Sequence, residues 1–155
     1  MIRELAALLM LAPCIDAAAD SEQNNKVAWM LNCQGCHRAD GGATGDAVPA
    51  LSGTVAKFLS VPGGREYLIR VPGVAMAPMD DESIAELTNW MLREFDKENI
   101  PQDFNRYSAD EVGALRKSPL GSEAGIVRAE LIERMGNQNA PESDVNNANE
   151  HKKIN

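Results

Sequence analysis

Cys33-Gln34-Gly35-Cys36-His37 is the stretch that decides how this 155-residue chain is read. Two thiols three residues apart are followed at once by an imidazole. Each thiol can form a thioether to one of the two vinyl groups of haem, and the adjacent imidazole is then placed to ligate the iron. Two other chemistries use a similar pair. A redox dithiol of the thioredoxin kind wants a strand before it and a βαβ pattern around it, and the flanking residues show neither. A zinc knuckle needs more ligands, and the other histidine, His151, lies in a polar tail.

Working outward, the first residues read as a leader. Met1-Ile-Arg-Glu carries one basic side chain, an apolar stretch runs from Leu5 to Ile15, and Asp16-Ala17-Ala18-Ala19 offers small residues for a cut after Ala19. Residues 1–19 are therefore expected to be a signal peptide that sends the chain to the periplasm. Cys14 follows Pro13 rather than a small residue, so it belongs to the discarded leader and not to a lipid anchor. The apolar stretch is too short to span a bilayer, and no integral span is expected elsewhere. Composition excludes other classes. Net charge is −8 and the pI is about 4.7, so no positive field would draw nucleic acid or an anionic membrane surface. Three cysteines exclude a multi-disulfide scaffold. Aromatics are 5 %, too few to suggest a dense aromatic core.

Beyond the motif, the pattern is helical. Residues 22–33 form a helix with Val27, Met30 and Leu31 on one apolar face. Residues 38–53 are a loop with Gly41, Gly42, Gly45 and Gly53. They lack a lysine followed by Ser or Thr, which excludes a phosphate-binding loop. Thr54–Ser60 is a short helix with Val55, Phe58 and Leu59 inward, and Arg65–Val71 another, ended by Pro72-Gly73. Met79–Phe95 is the strongest helix. Asp80 is its N-cap, Asp81 and Glu82 complement its dipole, and Ile84, Leu87, Met91 and Phe95 form its stripe, widened by Trp90 and Leu92.

From about Ser21 to Phe95 the chain resembles the class I cytochromes c, the small single-haem family. The resemblance is carried by a helix leading into Cys33/Cys36/His37, a proline loop, and a final core helix preceded by methionine. It implies an all-α, cytochrome c-like fold around one covalent haem c. In it Cys33 and Cys36 would tether the cofactor and His37 would ligate its iron. Pro49, twelve residues after His37, resembles the proline whose carbonyl accepts the imidazole Nδ1–H and so fixes the ring. Tyr67 and Leu68 are pocket candidates, and Arg65 or Arg70 candidate partners of the propionates. For the sixth ligand there are two methionines. With Asp80 as N-cap, Met79 stands at the hydrophobic-staple position against Ile84. Met76 stands in the extended segment where the family places its ligand, so Met76 is preferred and Met79 is the alternative. Ala77, not the family's usual proline, follows Met76, and the run to the helix is short. An open sixth position therefore stays a reading. Met30 and Met91 are assigned to the core.

The boundaries that follow are 1–19 leader, 20–96 cytochrome domain, 97–136 helical extension and 137–155 disordered tail. In the extension Ser108 and Glu111 make a capping box with Tyr107 and Val112 as staple, and the helix runs to about Lys117. Ser122 caps a second helix with Ile126, Val127, Leu131, Ile132 and Met135 apolar and Gly136 as its stop. These helices are expected to wrap the core rather than form a docking surface. The reading as a whole is an exported electron carrier and not an enzyme. It would be a monomer in transient complexes with redox proteins, passing single electrons from a dehydrogenase or membrane complex to an acceptor. The alternatives are a haem protein with an open sixth position that binds a gas or peroxide, and a haem-bearing subunit of a larger dehydrogenase.

Overall fold

The computed structural model describes residues 17–45 and 48–138. Of the expected leader, residues 1–16 with Cys14 lie outside the described residues, while residues 17–19 open the first helix. Residues 139–155, with His151, also lie outside. Among the described residues there are six α-helices and no strand, only an isolated bridge between Thr44 and Val48.

The first helix, α1, spans Ala17–Asn32. Its expected apolar face does not pack inward. Met30 is 54 % and Leu31 74 % exposed, and Val27 is also at the surface, while Trp29 and Asn25 are buried. The apolar count misjudged the face because one indole decides the packing where α4 offers aromatic partners. Trp29 sets the contact with α4, its ring centroid 4.8 Å from Phe95 and 6.3 Å from Trp90. Thus three of the seven aromatics meet at this crossing.

The long helix α4, Asp81–Asp96, is the spine. Asp80 caps it by accepting a hydrogen bond from the Ser83 amide at 2.7 Å, as expected of an N-cap. Ile84, Leu87, Trp90 and Leu92 are buried along it. Its last residue, Asp96, is buried and accepts from the Ala56 amide at 2.7 Å, holding the 3-10 turn Val55–Ser60 against the helix end. The glycine loop is tied to the same end, since Gly53 N–H donates to the Phe95 carbonyl. Gly41 has φ +71°, and a Cβ there would fall 2.7 Å from the Phe95 ring.

Two short helices follow the 3-10 turn. The helix α2, Gly64–Arg70, buries Tyr67, Leu68 and Ile69. Pro72-Gly73 closes α2 but does not end helical structure. Pro72 is the first residue of α3, Pro72–Ala75, where its missing N–H costs nothing, and Val71 before it is extended.

The extension packs into the same core. Helix α5, Ala109–Leu115, is capped by Ser108 Oγ, which accepts from the Glu111 amide. The capping box is not reciprocal, because the Glu111 carboxylate is bound bidentate by Arg65 at 2.5 and 2.7 Å. Tyr107 is sandwiched beneath that arginine, 4.0 Å from its guanidinium, and donates its hydroxyl proton to the Arg65 carbonyl. Buried Asn89 exchanges two hydrogen bonds with the Tyr107 backbone, as a strand neighbour would. Helix α6 spans Ala124–Gln138. Ser122 lies in the preceding 3-10 turn Gly121–Glu123 instead of capping α6, and Gly136 lies inside α6 instead of stopping it. Of the apolar positions on α6, Leu131 is buried, whereas Ile126 and Ile132 are exposed. Tyr107, Val112, Leu120 and Leu131 share one cluster with Val55, Ile69 and Leu92.

Candidate functional site

The chemistry-bearing motif is the turn that leaves α1. The Cys33 amide bonds back to the Trp29 carbonyl, and both Cys36 and His37 amides donate to the Cys33 carbonyl. This closed turn puts Cys33, Cys36 and His37 on one wall of a cavity of about 400 Å³. The rest of the wall is mainly apolar, with Leu51, Val55, Phe58, Tyr67, Leu68, Val71, Val74 and Met91 facing the motif. Phe58 and Tyr67 stack at 5.1 Å. A second cleft of about 270 Å³, between α1 and the start of α4, has Met79 and carboxylates in its wall and no thiol or imidazole.

The groups on the wall suit a bound ligand rather than a redox dithiol. Both thiols are free. Burial, with a smaller contribution from Cys36, pushes the Cys33 thiol up to about 11. A catalytic dithiol needs a depressed thiol instead. No group of three metal-ligating side chains occurs among the described residues, so no zinc knuckle forms there. The His37 imidazole is held neutral by burial. Its Nδ1 is buried without a hydrogen-bond partner, and the ring leans on Trp29 at 5.8 Å. An imidazole beside two free thiols on an apolar wall is a donor set that fits a haem.

The other sequence candidates divide. Pro49 and Tyr67 are on the cavity wall, though Pro49 accepts no bond from His37 here. Burial raises the Tyr67 hydroxyl, opposed by the charge of Arg128. Arg70 is turned elsewhere, its Nε donating to the Ser118 carbonyl at 2.7 Å, and Arg65 is engaged with Glu111. The cation on the wall is Arg128 of α6, 5.9 Å from the Phe58 ring. Sequence reading missed it because nothing local to α6 marks which arginine will face a pocket built by α2 and the motif. Met76 is 75 % exposed and off the cavity wall, and Met79 packs between the two core clusters, also off that wall. Met91, assigned to the core, packs there and also touches the cavity.

A helical fold that brings two thiols and an imidazole to one apolar cavity defines a haem c protein, and this chain belongs to the c-type cytochromes. It is 32 % identical over 138 residues to a cytochrome c-552 of Thermus thermophilus, an alignment covering 77 % of this chain and 90 % of that one. A second cytochrome c-552 of Thermus thermophilus is 33 % identical over 106 residues, covering 57 % of this chain and 81 % of the relative. No protein-family model matches the chain. Its cofactor is haem c and its role is that of an electron-carrying cytochrome with redox proteins as partners. Among the described residues no helix is long and apolar enough to cross a membrane.

Proposed function

We propose that this protein is an exported, periplasmic monohaem carrier that takes single electrons from a dehydrogenase or membrane complex and delivers them to a terminal acceptor. The observation that carries the reading is the convergence of Cys33, Cys36 and a partnerless His37 nitrogen on one apolar wall. In this reading the two cysteines tether the haem by thioethers and His37 ligates the iron. The haem, when bound, supplies a one-electron ferric–ferrous couple. Apolar side chains around it exclude water, and Tyr67 offers a neutral hydroxyl. Arg128, which lines the cavity, would take the role of propionate partner in place of Arg70. Pro49 would supply the carbonyl for His37 Nδ1–H, which steadies the ring. Met76, with Met79 as the alternative, would reach the sixth position only by a turn of the segment between α3 and α4. No substrate turnover belongs to this role.

A second reading, an accessible sixth position that takes a small neutral gas, is favoured by one observation. Neither methionine of that segment stands on the cavity wall. For the main reading, Cys33→Ala and Cys36→Ala are each expected to weaken haem staining on a denaturing gel, and the double variant to abolish it. Full staining of the double variant would overturn the tether assignment.

A further inference from the structure

Arg116 closes α5, and its side chain reaches into the segment Ala75–Met79. Its Nε donates to the Ala75 carbonyl at 3.0 Å and its Nη2 to the Ala77 carbonyl at 2.7 Å. These two residues flank Met76, so one planar fork holds the chain on either side of it. Nη1 donates to the Met79 carbonyl at 2.9 Å and to Asp81 Oδ1 at 2.7 Å. The arginine side chain is only 18 % exposed, and hydrogen bonds from a charged donor are stronger than neutral ones. The amides of residues 75, 76, 77 and 79 bond back onto carbonyls of residues 71–77. Among the described residues, then, the hydrogen bonds that tie this segment to another element all go to Arg116. Gly113 of α5 faces the Asp81 carboxylate that Arg116 holds. A Cβ there would lie 2.5 Å from Asp81 Oδ2.

We propose that Arg116 is a positioning residue that latches Met76 outside the haem cavity, so that the C-terminal extension decides what stands at the sixth position. Met76 is exposed in the latched geometry. A backbone turn that carries its thioether inward rotates the Ala75–Met76 peptide, which holds the Ala75 carbonyl, and drags Ala77 along with it. That motion takes the Ala75 and Ala77 carbonyls away from Nε and Nη2. The proposal rests on the reading of the cavity as the haem site.

The test compares holoprotein with Arg116→Gln and with Arg116→Lys, which keeps a charge beside Asp81 but has no fork. Two readouts are used: amide exchange over residues 75–79, and the absorption spectrum with and without carbon monoxide. Wild type is expected to bind carbon monoxide when ferrous and to lack a sulfur-to-iron charge-transfer band when ferric. In Arg116→Gln the segment's amides should exchange at least about tenfold faster and carbon monoxide affinity should fall about tenfold, matching the loss of charged hydrogen bonds. The sulfur band should appear, and adding Met76→Leu should remove it. Arg116→Lys should behave the same way, which keeps the test open if Arg116→Gln fails to fold. A sulfur band already present in wild type and removed by Met76→Leu overturns the latch. So does a spectrum unchanged by both arginine variants. Wild type without covalent haem overturns the proposed function itself, and the latch with it.

Discussion

At the scale of single residues, several buried polar side chains bond to backbone groups of distant elements. Tyr107 is the plainest case. Burial raises its hydroxyl well above the usual tyrosine range, with the nearby Arg65 charge acting in the opposite direction. The folded value therefore lies above the unfolded one, which is about 10. Its stabilisation is complete below about pH 10 and is lost as the pH climbs toward the folded value, because the unfolded chain then releases a proton that the folded chain retains. Tyr107→Phe is expected to lose about 1 kcal/mol at neutral pH, the worth of the hydrogen bond to the Arg65 carbonyl. Its decline in stability between pH 9 and 11 should also be shallower than that of wild type, by about the share of one tyrosine. Urea unfolding across that range measures both effects, and an identical alkaline slope in the variant would show that Tyr107 does not titrate on unfolding.

At the scale of elements, short-range chemistry was legible and long-range pairing was not. The motif turn, the Asp80 cap, the Ser108 cap and the stripe of α4 can all be read locally, since each is decided by residues within a turn or two. The inward face of α1 was misread because Trp29 outweighs Val27, Met30 and Leu31 only once α4 supplies Trp90 and Phe95. Arg116 on Ala77, Arg65 on Glu111 and Arg128 at the cavity carry no local signature. Their partners lie tens of residues away, and any exposed arginine looks the same in sequence. The same distinction predicts unequal costs. Asp80→Ala removes one cap bond at an exposed helix start and should give the smaller loss of stability. Leu131→Ala empties a site that is 1 % exposed in the shared core and should cost about 2–5 kcal/mol. Thermal unfolding of the two variants checks the order, and an equal shift would mean that α6 is not part of the cooperative core.

At the scale of the whole molecule, the cavity is a joint product of the chain's early and late parts. The motif turn, the loop 48–54, the 3-10 turn, α2 and the segment 71–74 supply most of its wall, and α6 adds Ala124, Gly125 and Arg128. The extension also grips the methionine segment through Arg116 and buries Tyr107, Val112, Leu120 and Leu131 with the core. These helices therefore belong to the same packed unit as the cavity. Covalent attachment of one haem at Cys33 and Cys36 is the feature on which every proposed role depends. The direct measurement is the mass of the protein, purified from cells that carry haem-attachment machinery and then denatured, followed by peptide mapping. The expected result is one haem per chain, retained in denaturant and located on the peptide that holds Cys33 and Cys36. A bare polypeptide mass, with both thiols open to alkylation, would contradict it.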